Sequence, residues 1–178
     1  MQHSGPVLVC GNAWCLPEDL EAARKIVSDA PVIAVNGAAR EVKAIGLFSV
    51  HPQRFIEYGY DWLKHQTRLF GPVLVHAVRE QPGMPWVNHW WPEIKGSGGG
   101  SVWCARKLAW LMGFDPVILC GAPLVAGSYA GFRPGRIMAQ PEIMIPYRRE
   151  IEHDVEWHKG AYSMSGWTRD FLGSPPGC

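Results

Sequence analysis

The sequence predicts a doubly wound α/β fold, a mainly parallel sheet with helices on both faces. Three observations lead there. Short runs over residues 6–11, 31–37, 44–50, 69–77 and 116–120 are apolar almost throughout instead of alternating, the pattern of strands buried on both faces. Segments of helical character lie between most of them, and strand–helix–strand in this rhythm implies parallel pairing. Residues 96–121 read as one unit around which the chain is organised: a glycine-rich stretch, a helix, a tight turn and a buried strand.

The first run ends at Gly11 and is followed by a helix over residues 17–27. Pro17, Glu18 and Asp19 occupy its first turn, where a missing N–H costs nothing and acids complement the dipole, and Arg24 and Lys25 lie near its end. The second run closes on Asn36-Gly37, and the third leads into His51-Pro52. A helix over residues 54–65 and a fourth strand over 69–77 come next. Trp86, Trp90 and Trp91 lie in the loop feeding the glycine stretch, where indoles either pack over a core or stack on a base or sugar. After the fifth strand, residues 116–120, come a long loop, a helix over 146–157 and a short strand over 161–164. No repeat or long linker divides the chain, so residues 1–178 read as a single domain.

Hydrophobic residues make up 47% and charged residues 19%, which excludes a disordered chain. With 17 basic against 16 acidic side chains there is no global attraction to nucleic acid or an anionic membrane, so a nucleic-acid partner is not indicated. The five cysteines are odd in number and form no C-x-x-C pair, a pattern suited to reduced thiols and a cytoplasmic location. No apolar run approaches the roughly 20 residues of a membrane span. Residues 1–6 are too short and polar for a signal peptide.

Ligands of open parallel sheets sit beyond the carboxyl ends of the strands. That rule selects Gly11, Asn12 and Ala13 after the first strand, Asn36 and Gly37 after the second, His51 after the third, and Gly121 after the fifth. In the central unit, Gly99, Gly100 and Ser101 lead into a helix whose first N–H groups favour an anion such as phosphate. The spacing is neither G-x-G-x-x-G nor a P-loop, because Lys107 lies well inside the helix. Short polar residues at strand ends also close turns, and a glycine run also suits a flexible linker.

Taken in order, the Gly11-Asn12 start, Val35-Asn36-Gly37, residues 48–52 and the unit from Ser101 through Gly113-Phe114 to Gly121 resemble the bacterial lipooligosaccharide sialyltransferases. They resemble equally the related Rossmann-like domains of the archaeal hydroxymethyl-dihydropterin pyrophosphokinase type. The first resemblance implies a Rossmann-like nucleotide-binding domain in which Asn12 and Asn36 hold the nucleotide of a CMP-sugar-like donor. Ser101 matches the serine that opens the family's central helix, and Tyr129 the tyrosine that steadies the leaving phosphate. It implies a base histidine downstream, for which His153 and His158 are the candidates, and chemistry without a metal or further cofactor. Several positions depart from the pattern. Ala13-Trp14-Cys15 replaces Gly-Pro-Ser, Val102 replaces a glycine, His51 replaces an asparagine, and a second tyrosine before Tyr129 is missing. Ala122-Pro123 stands where an acid is expected, which counts against a Mg²⁺-dependent pyrophosphokinase.

His153 and His158, five residues apart, diverge by about 140° on one helix and would not share a metal. His158, nearer the following strand, is the favoured base. Arg133 and Arg136 lie on the loop after the fifth strand, where guanidinium groups clamp phosphate or an acidic sugar. The expected function is a metal-independent, glycosyltransferase-like enzyme using a nucleotide-activated sugar, its acceptor unspecified. The alternatives are a nucleotide- or nucleoside-binding protein that sequesters its ligand without turnover, or a pyrophosphokinase-like transferase. The expected partner is a nucleotide or nucleotide-sugar, a homo-oligomer is compatible with the sequence, and His158 is expected to face a pocket made by Asn12, Asn36 and Ser101.

Overall fold

The apolar runs become strands: β1 (Val7–Cys10), β2 (Val32–Val35), β3 (Gly46–Ser49), β4 (Leu74–Ala77), β5 (His89–Trp90), β6 (Val117–Cys120) and β7 (Ala161–Ser163). Among them run α1 (Leu16–Ile26), α2 (Asp61–Phe70), α3 (Gly100–Leu111), α4 (Pro141–His153) and α5 (Gly166–Leu172), with 3-10 turns at Asn36–Arg40 and Val155–Trp157. This description rests on a computed structural model and covers residues 3–53, 61–78, 82–94, 100–125 and 141–178.

The strands form one sheet in the order β5-β4-β3-β2-β1-β6-β7, and every pair is parallel. From β1 the chain steps outward to β5, returns through α3 to lay β6 on the other side of β1, and ends at β7. The winding direction therefore reverses between β1 and β6. Successive strand residues point to opposite faces, and both faces are apolar. Leu8, Cys10, Ala34, Leu47, Val75 and Ile118 pack with Leu16 and Ala23 of α1 and Trp62 of α2. Val7, Val9, Ile33, Phe48, Val117 and Leu119 pack with Trp103, Cys104 and Leu108 of α3 and Ile151 of α4. A fully buried side chain of this size contributes about 1.5–3 kcal/mol, so the doubly wound arrangement follows from strands with two apolar faces.

Several boundaries differ from those expected, for local reasons. Residues 69 and 70 finish α2 instead of opening β4, because Gly71 takes φ +92° and its N–H returns to the Thr67 carbonyl at 3.2 Å, a glycine helix stop. Of the helix expected over 54–65, residues 54–60 lie outside the described residues and the rest belongs to α2. Inside α2, buried Gln66 donates to the carbonyls of Ala39 and Val42, tying the helix to the turn after β2. α4 opens at Pro141 and carries Pro146 in its interior, where the sequence placed the helix start. The two-residue strand β5 and the helix α5 were not expected at all.

The central helix α3 is buried from Trp103 to Ala109, charged residues included. Lys107 pairs with Asp154 at 2.5 Å, and the same carboxylate oxygen accepts from Trp103 Nε1 at 2.7 Å. Arg106 donates to the Lys159 carbonyl and lies 5.7 Å from the Trp103 ring and 5.9 Å from that of Trp157. Burial lowers its pKa to about 10, with Asp115 opposing the shift, so it remains a cation at neutral pH.

On β4, His76 is buried. Its Nδ1 accepts from Trp91 Nε1 at 3.1 Å, and its ring stacks on His89 at 5.2 Å. Burial, helped by the neighbouring His89, lowers its pKa from 6.5 to about 4. Between those values the unfolded chain protonates this histidine and the folded chain does not. The stability concerned is therefore full above pH 6.5 and is lost as pH falls toward 4, by about 2–3 kcal/mol. Urea unfolding of the wild type at about pH 7 and about pH 4.5 should show this loss, and His76→Gln, which keeps an acceptor for Trp91, should show a smaller one.

Candidate functional site

The winding reversal places the ends of β1 and β6 side by side, the position at which open α/β sheets bind ligands. The pairing of the two strands continues beyond them: Gly11 N–H donates to the Cys120 carbonyl at 2.8 Å, and Ala13 N–H to that of Gly121 at 3.2 Å. Only glycine fits at this crossing. A Cβ on Gly11 would stand 2.5 Å from the Gly121 oxygen and 2.7 Å from Val102 Cγ2. At Gly121, where φ is +62°, it would stand 2.4 Å from the Gly11 oxygen and 2.9 Å from Leu16 Cβ.

A buried carboxylate secures the crossing. Asp19 Oδ2, from the first turn of α1, accepts the Gly121 N–H at 2.8 Å and the Ser165 hydroxyl at 2.7 Å. It thereby ties α1, the end of β6 and the segment after β7 together. Ser165 also meets Cys15 Sγ at 3.2 Å. Burial chiefly, with the Asp19 carboxylate adding to it, pushes the Cys15 thiol up to about 11, so it is no nucleophile at neutral pH.

The flanking residues reach the same edge. The first turn of α3 abuts β1 through Val102, which places Ser101 beside the Gly11 turn. Gly100 takes φ +79°, and the Tyr147 ring of α4 lies 3.6 Å from where its Cβ would be. On the other side, the Asn12 amide rests on Gly37, whose Cβ would approach Nδ2 to 2.7 Å. Asn36 adopts the left-handed conformation, φ +52°, and its Oδ1 accepts from buried Ser49 Oγ at 2.7 Å. Ser49 Oγ in turn accepts the His51 N–H at 3.1 Å, while the His51 side chain is exposed.

Gly11, Asn12, Ala13, Asn36, Gly37, His51, Gly100 and Ser101 thus all lie at the carboxyl edge. Gly99, Tyr129, Arg133 and Arg136 lie outside the described residues. The two candidate bases require a correction. His158 precedes β7 and so sits at the amino edge, the opposite end of the sheet, where Gly160 begins the ladder by accepting from Val117 N–H. Its Nε2 is 2.7 Å from the Ile151 carbonyl, and its ring packs between Trp103 and Phe171. It does not face Asn12, Asn36 and Ser101, because a parallel sheet sends residues before and after a strand to opposite edges. His153 is exposed at the carboxyl end of α4, next to Asp154.

Sequence reasoning missed Asp19, Ser49, Tyr147 and Ser165 as residues of this edge. Asp19 carried only the signature of a helix first turn, and Ser49 looked like one polar residue in an apolar strand. Among the described residues no helix is long and apolar enough to cross a membrane. No family model matches the chain, and no curated protein matches it in sequence. Fold and site together define a doubly wound α/β protein whose polar side chains gather at the β1/β6 reversal.

Two substitutions test how the edge is built. Gly121→Ala should cost about 3 kcal/mol or more, since it combines an unfavourable φ with backbone overlap. Asp19→Ala should cost about 2–4 kcal/mol, because it leaves the buried Gly121 N–H without its charged acceptor, and Asp19→Asn should cost less. Chemical denaturation of the three variants measures both effects.

Proposed function

We propose that the carboxyl edge binds a nucleotide, and that the ligand is a nucleotide-activated sugar of the kind the sialyltransferase resemblance implies. The supporting observation is the coincidence of the β1/β6 reversal with a glycine crossing and the start of a buried helix, because α/β sheets bind ligands at such reversals and helix N-termini favour phosphate. Around that point Asn12, Asn36 and Ser101 offer hydrogen bonds to a base, ribose or phosphate, while the glycines allow close approach to the backbone.

Transfer of the sugar needs a base for the acceptor hydroxyl. His158 cannot serve from the amino edge, and this position favours the second reading, a protein that sequesters its nucleotide without turnover. On the transferase reading the base comes from the carboxyl edge, where His51 is one exposed candidate.

Thermal shifts with CMP, UMP, ADP, GDP and their sugar conjugates test the nucleotide site. A ligand at 100 times its Kd should stabilise the chain by about 2.7 kcal/mol, and no shift with any of them would refute the site. His158→Ala should lower the melting temperature, through lost contacts to Ile151, Trp103 and Phe171, while leaving the ligand-induced shift intact. Donor consumption by the wild type separates transfer from sequestration, and His51→Ala should reduce it about 10²- to 10⁴-fold if His51 is the base.

A further inference from the structure

Ser49 occupies the last position of β3 and is completely buried, yet its hydroxyl is directed at the carboxyl edge by two hydrogen bonds of opposite sense. The oxygen receives the His51 backbone N–H at 3.1 Å, and the hydroxyl proton goes to the Asn36 side chain at 2.7 Å. A serine hydroxyl has one proton, and its oxygen here is an acceptor toward a backbone amide that can only donate. That proton remains available beside the accepted bond, and it is donated to the Asn36 amide oxygen. Asn36 is thereby fixed as a donor: its two Nδ2 hydrogens face away from Ser49, and among the described residues no acceptor takes them. The side chain is half-buried at the end of β2, on a backbone whose φ of +52° asparagine tolerates better than most residues.

We infer that Ser49 is a positioning residue that orients the Asn36 amide to donate a hydrogen bond to the ribose 2′-oxygen of the bound nucleotide. This rests on the nucleotide reading of the site. In sheets wound this way, the residue at the end of the strand next to β1 lies over the ribose, and a carboxylate there accepts from the 2′-hydroxyl. An amide whose oxygen is already engaged works in the opposite sense and requires an oxygen acceptor at the 2′ position. Ribonucleotides supply one and 2′-deoxyribonucleotides do not.

The experiment is calorimetric titration of the full chain with CMP, UMP, AMP and GMP and with their 2′-deoxy counterparts. The wild type should bind the ribo form of its preferred nucleotide about five- to tenfold more tightly than the deoxy form, the effect of one hydrogen bond. Asn36→Gly suits the positive φ and removes the amide altogether, and should bring the ratio to about one. Ser49→Ala frees the amide to rotate and should lower the ratio, and Ser49→Thr, which keeps the hydroxyl, should restore it. A merely structural role for Ser49 would weaken both forms equally and leave the ratio unchanged. Circular dichroism of each variant confirms folding, and Ser49→Ala, which leaves Asn36 in place, is the second variant that tests the donor. Wild-type binding with a ratio of one, or a ratio that survives Asn36→Gly and Ser49→Ala, overturns the inference while leaving the nucleotide site standing. No binding of any nucleotide overturns both.

Discussion

The backbone contact between Gly11 and Gly121 is the constraint on which the carboxyl edge depends. Two strands that leave the sheet at a winding reversal normally diverge, but here their first residues beyond the sheet stay close enough that neither position admits a Cβ. Asp19 completes the arrangement by accepting the Gly121 N–H, which would otherwise be buried without a partner. Since the same carboxylate oxygen holds Ser165, the geometry of α1, β6 and the β7–α5 junction is set by one side chain. Asn12 and Ser101 inherit their positions from this crossing, one from the residue after Gly11 and the other from the helix that packs on it.

The two edges of the sheet are built from different materials. On the side away from the carboxyl edge, Trp103 and Trp157 flank Arg106, Trp157 also faces Lys107, Lys107 pairs with Asp154, and His158 packs between Trp103 and Phe171. Buried cations with such partners are costly to disturb, which suits a structural role. At the carboxyl edge the polar groups Asn12, Asn36, Ser49, Ser101 and Ser165 are short and neutral, beside the one carboxylate of Asp19. Asn36 shows the difference most clearly, for it holds a strained backbone conformation and an oriented amide where a glycine would have been conformationally easier.

The family resemblance and the geometry diverge over the base. The strand-end residues on which the resemblance rests reach one edge, as expected of positions defined by where strands stop. The histidine was placed by its order in the chain alone; it precedes the strand that was expected to start, and does start, at Ala161, and a parallel sheet sends such a residue to the amino edge. Binding and turnover therefore stand on different footings, and the nucleotide proposal is independent of His158.

The amino-acid sequence determined the fold class and the residues at the strand ends by itself. Runs such as residues 7–10 and 117–120 carry apolar side chains on both faces, and only a sheet covered on both sides buries them. Gly11, Asn12, Asn36, Gly37 and Gly121 were legible because they interrupt such runs, and a parallel sheet brings all such interruptions to one edge. Tertiary structure alone decided the partners. Nothing local distinguishes Asp19 from any acid in a first helical turn, Ser49 from any serine in a strand, or His158 from a catalytic histidine. Their roles arise from contacts with residues 102, 13 and 7 positions away, respectively. Those contacts depend on how the helices pack across the sheet, which periodicity and composition do not encode.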